Sequence, residues 1–114
     1  MSLRRFVVAV ALFMSTATVL AQPLSAAEMT AALDRSDALV IAGKCAEAEG
    51  DANQTFSNQP SWRLTLLGMI ADHCRHDKKL AASLMTESAR YGHPFAVDYL
   101  EKAKLPVPPE DKRQ

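Results

Sequence analysis

The 114-residue chain has little of what most recognisable functions need. It has seven aromatic residues, too few for a base-stacking platform. Its 13 basic residues are matched by 13 acidic ones, so it lacks the basic excess of a nucleic-acid clamp. Four glycines exclude a Gly-rich linker or a collagen-like repeat. There is no GxSxG elbow, no HExxH, no CxxCH haem site and no phosphate-cradling glycine loop. His73, His76, His93, Asp72 and Glu87 are available as acids or bases, but their spacing forms no catalytic constellation. The expectation is a chain without a catalytic site and without a cofactor.

The first residues read as an export signal. Arg4 and Arg5 precede nine apolar residues, Phe6 to Met14, and small residues follow. This is the layout of a secretory signal peptide, and the apolar run is shorter than the ~20 residues a spanning helix requires. Cleavage is expected after Ala21 or after Ala27, giving a signal of residues 1–21 or 1–27. Ser25 and Glu28 have capping-box spacing, which favours Ala21, because the later cut would discard the cap. The mature chain would lie in the periplasm or be secreted, with no stable membrane span. Losing Arg4 and Arg5 leaves 11 bases against 13 acids. The charge is uneven. Residues 28–51 hold six acids (Glu28, Asp34, Asp37, Glu47, Glu49, Asp51) and two bases (Arg35, Lys44), a net of −4. Residues 63–114 carry a net of +2. Such polarity can orient a partner, and it equally suits a solvated helix face.

The remaining chain reads as all-α, with about five short antiparallel helices in hairpins over residues 28–104. Alternating strand patterns are scarce, and apolar residues recur at helical spacing. The expected helices are about Ala26–Ile41, Lys44–Phe56, Pro60–Cys74, Lys78–Tyr91 and Pro94–Lys104. The third places Trp62, Leu66, Met69, Ile70 and His73 on one face. The fourth places Ala81, Leu84, Met85, Ser88 and Ala89 on one face, with Asp77 as N-cap and Gly92 as its stop. His93 is expected to cap the fifth helix, with Phe95, Tyr99 and Leu100 turned inward. The proline-rich tail, residues 105–114, is expected to be disordered.

Cys45 begins the second helix and Cys74 ends the third. In antiparallel neighbours these ends adjoin, so a disulfide can close there, as suits an exported chain with a small core. Closing this loop would stabilise by roughly 3 kcal/mol. The rival reading is a metal site built from His73, Cys74, His76 and Cys45. Neither paired CxxC nor HxxxH spacing supports it.

The stretch from Leu67 to Leu100 resembles one Sel1-like repeat, a relative of the tetratricopeptide helix pair. The resemblance rests on Leu67-Gly68, Asp77, Ala81, Leu84, Ala89, Gly92, Ala96 and Leu100. The segment between Gly68 and Asp77 is about two residues shorter than the usual form, and Glu101 stands where a glycine would. The resemblance implies a helical adaptor that binds another envelope protein through a concave surface. Two alternatives remain: a metal-handling protein, or an accessory subunit of an exported enzyme.

Overall fold

A computed structural model of the protein describes residues 24–111. Arg4, Arg5, the apolar run and Ala21 lie outside the described residues, as do positions 112–114. Among the described residues there are five helices and no strand: α1 (Ala26–Ile41), α2 (Cys45–Thr55), α3 (Pro60–His73), α4 (Lys78–Arg90) and α5 (Pro94–Lys102). Each packs on its chain neighbour, the most extensive contact being α3 on α4, and α1 also reaches α3.

Local chemistry sets the helix ends. Ser25 and Glu28 form a reciprocal capping box at the start of α1: the Glu28 amide donates to Ser25 Oγ (3.2 Å) and the Ser25 amide to Glu28 Oε1 (3.0 Å). Pro60 and Pro94 each open a helix, where a missing N–H costs nothing. Asp77 caps α4 by accepting from the Leu80 amide at 3.0 Å. Gly92 follows α4 in the left-handed region (φ 78°), and its amide and that of His93 return to the carbonyls of Ala89 and Ser88. This is a Schellman turn, for which glycine is the least strained residue.

The core is small and in two parts. The first joins Ala32 of α1, Ala48 and Ala52 of α2, Phe56, and Leu66 and Ile70 of α3. The second joins Met85 and Ala89 of α4 with Ala96 and Leu100 of α5. The largest wholly buried side chains are Phe56, Ile70, Met85 and Leu100. At about 1.5–3 kcal/mol each, they leave little surplus over chain entropy.

Helix α3 has two unlike faces. The large residues Leu66 and Ile70 turn to the first core. The face packed on α4 carries small or polar groups: Ser61, Thr65, Gly68 and Asp72, at i, i+4, i+7 and i+11. A Cβ on Gly68 would lie 2.9 Å from Met85 Cε and 3.2 Å from its Cγ and Sδ, so glycine sets how closely the two helices approach. The hydroxyls of Thr65 and Ser88 are 2.6 Å apart, and the Ser61 carbonyl accepts at 2.8 and 2.9 Å from them.

Helix α2 contributes little bulk and is fastened by other means. Cys45 and Cys74 form a disulfide with Cα atoms 5.7 Å apart. Beside it, Arg75 donates from two nitrogens to the Glu49 carboxylate at 2.6 and 2.7 Å. That contact holds the Glu49 carboxyl below its usual range. On the other flank, Arg35 of α1 donates to Asp51 at 2.9 Å and to Thr55 at 3.1 Å.

Three expectations are corrected. His93 occupies the N-cap position of α5, but its side chain makes no capping bond and is buried instead. Phe95 is not inward but 47% exposed, because Ala96 and Leu100, four apart, take the inner face and Phe95 lies 100° round the helix. Residues 105–111 follow a defined course: the Asp111 amide donates to the Arg90 carbonyl at 2.6 Å, and the Glu110 carboxylate lies over Gly92. Pro106, Pro108 and Pro109 lower the entropy lost in holding that path.

Because α2 has so little apolar bulk, opening the 29-residue disulfide loop is expected to cost about 3 kcal/mol. Urea unfolding with and without reductant measures it; coincident curves would contradict the assignment.

Candidate functional site

Helices α1, α3 and α5 together line an apolar groove, while α2 and α4 contribute nothing to it. Its volume is about 340 Å³, at the low end of the range for ligand-binding clefts. From α1 come Leu33, Ser36, Asp37, Val40 and Ile41; from α3 come Trp62, Thr65, Leu66, Met69, Ile70 and His73; Phe95 comes from α5. The stripe at positions 62, 66, 69, 70 and 73, expected to share one helix face, lines the groove wall, and its Leu66 and Ile70 also close the first core. Ile41 stands 86% exposed at the rim and Phe95 47% exposed at the other side. Both groups border the same apolar cleft, and exposed apolar surface of this kind gains by being covered.

A second, wider cleft of about 850 Å³ continues on the far side of Phe95. It shares Met69, His73 and Phe95 with the first, and Lys78, Lys79, Lys102, Asp72 and Asp98 supply its charge. Asp72 is its anchor. Lys78 Nζ pairs with Asp72 Oδ1, and the Tyr99 hydroxyl donates to Oδ2 at 3.0 Å. The ammonium of Lys78 outweighs burial and holds the Asp72 carboxyl below its usual value. Burial first, and then the Asp72 carboxylate, push the Tyr99 phenol up. This contact ties the end of α3 to α4 and α5, so it shapes the cleft as well as charging it.

An aromatic column runs behind Trp62 of the groove wall. Phe56 and Trp62 lie with ring centres 6.2 Å apart, and His93 meets Trp62 edge-on at 4.4 Å. His93 is only 7% exposed, and its Nδ1 has no hydrogen-bond partner among the described residues. Burial pushes its imidazole below the ordinary value.

The residues singled out in the sequence fall as follows. Cys45 and Cys74 are joined, so neither thiolate is free as a ligand. His73 and His76 are both exposed, and among the described residues no three His, Cys, Asp or Glu side chains gather as a metal site would require. Leu67 packs against the first core, and Gly68 and Asp77 hold the positions described above. Ala81, Ala89, Ala96 and Leu100 are buried, and Leu84 is half-buried. Sequence reasoning missed the groove itself and the part played by Ile41. The one signal was the large apolar Ile41 as the last residue of α1, directly before the Ala42-Gly43 turn. Comparison with protein-family models, with curated proteins and with solved structures returns no match to the chain.

The buried His93 gives a pH dependence with a definite sign. At neutral pH the ring is uncharged in the fold. As pH falls through about 6.5 the unfolded chain binds a proton that the folded chain does not, so stability falls, by at most about 1.4 kcal/mol per pH unit. Asp72 and Glu49, held below their usual values, lose their contributions only as pH falls below about 4. Unfolding free energies compared between pH 7.5 and 5.5 should therefore drop in the native chain. The drop should shrink in His93→Phe, and an equal drop in both would refute the assignment.

Proposed function

We propose that this chain is a non-catalytic helical docking protein of the cell envelope, and that it takes a protein surface into the groove between α1, α3 and α5. The observation that carries the reading is the groove's construction. Alternate helices line it, and it leaves Ile41 and Phe95 exposed at its margins while the core beneath stays closed. A concave apolar wall with few charges offers the contact area and the anchors of a helix-in-groove or hot-spot interface.

Several features support an envelope location and a Sel1-like ancestry. The Arg4–Arg5 pair followed by the apolar run from Phe6 to Met14 suits export. A disulfide suits the oxidising compartment that export leads to, periplasmic or extracellular. No helix among the described residues is long and apolar enough to cross a membrane. The repeat-like residues hold the positions a stacked helix pair needs: Gly68 at the close approach of α3 and α4, Asp77 capping α4, Gly92 ending it, and Ala81, Ala89 and Ala96 buried.

A photo-crosslinking residue at Phe95 or Ile41, introduced into cells, tests the reading. Both sites should yield protein adducts, and the same residue at exposed Gln54 on α2 should not. Equal labelling at all three positions, or none at any, would contradict a docking groove.

A further inference from the structure

We propose that the occupant of the groove is a second copy of this chain, docked about a two-fold axis that passes close to Phe95. The proposal rests on the docking reading above and names its partner.

An isologous interface has to match itself: whatever lies at one end of the patch meets the other end of the same patch on the second copy. The two clefts meet this condition. Met69, His73 and Phe95 line both, so they mark the middle. Asp37 is the only carboxylate lining the first cleft, and it is exposed with no ion-pair partner among the described residues. In the second cleft Lys78 is paired with Asp72 and Lys102 with Asp98 at 3.0 Å. Lys79 is exposed and has no ion pair among the described residues. One end of the patch thus carries an unused negative charge and the other an unused positive charge, with apolar surface between them.

Rotation about the middle brings Asp37 of each copy to Lys79 of the other, so one contact is made twice. Like charges at both ends would instead repel under the same operation. The charge of the whole chain has the same polarity. Residues 28–51, which include α1, have a net of −4, and residues 63–114 a net of +2. Exposed Ile41 and Phe95 supply the apolar area such a contact covers.

Sedimentation equilibrium of the exported protein, with circular dichroism as a check on folding, tests this. The expected result is a monomer–dimer equilibrium that weakens as salt is raised. Asp37→Lys alone and Lys79→Glu alone should each weaken it roughly tenfold, since each change breaks two pairs and creates two repulsions. The double variant should recover most of the loss, and Phe95→Asp should abolish the dimer while leaving the helical signal intact. A monomer at all concentrations, or a double variant no better than the single ones, would overturn the proposal. The crosslinking separates this failure from that of the docking reading. Adducts from position 95 to a different protein would sink the dimer and keep the groove, and no adducts at all would sink both.

Discussion

The close approach of α3 to α4 is the contact on which the rest of the structure depends. It is made by a stripe of small and polar residues, with Gly68 against the buried Met85 at its centre. Small residues let two backbones come near each other, and dispersion then acts over many atom pairs at short range. The choice has a second consequence. By giving α4 a mostly small face, α3 keeps Trp62, Leu66 and Ile70 for its other side, while Met69 packs on the second core. Leu66 and Ile70 close the first core, and Trp62, Met69 and His73 become groove wall. One helix thus contributes to the core of two hairpins and to the wall of the groove.

That arrangement leaves the first hairpin poorly supplied. Helix α2 buries only Ala48 and Ala52 within its length, and its N-terminus has no side-chain cap. The contacts that fasten it are covalent and ionic: the Cys45–Cys74 bond, the two-nitrogen Arg75–Glu49 contact and the Arg35–Asp51 pair. Exposed ion pairs contribute little individually, so the disulfide has the larger share. Helix α1 forms one wall of the groove and packs on both α2 and α3. The staple therefore helps to hold the groove in shape, since Cys74 directly follows His73 of the groove wall.

Much of the fold was legible in the sequence. All five helices lie where periodicity, prolines and caps placed them, within two residues at each end, and the cysteines adjoin as antiparallel hairpins require. The errors share one cause. Helical spacing shows which residues lie on a common face, but not whether a neighbour covers that face. The spacing of Trp62, Met69 and His73 therefore showed a common face but not that this face borders a groove. Phe95 was read as inward because it is aromatic, although Ala96 and Leu100 hold the inner face. His93 was read as a cap from its place before Pro94, whereas the ring is held by Trp62, 31 residues away in sequence and beyond the reach of any local rule. Asp72 was one acid among several until Lys78 and Tyr99 met around it.

The two-faced character of α3 is best tested by a double-mutant cycle between positions 68 and 85, read as unfolding free energy. Gly68→Val crowds Met85, and Met85→Ala removes the atoms it would meet. If the close approach holds the helix pair as described, the substitution at 68 should be costly in the native background and much milder once Met85 is shortened, a coupling of at least about 1 kcal/mol. Strictly additive effects would show that α3 and α4 do not depend on this contact.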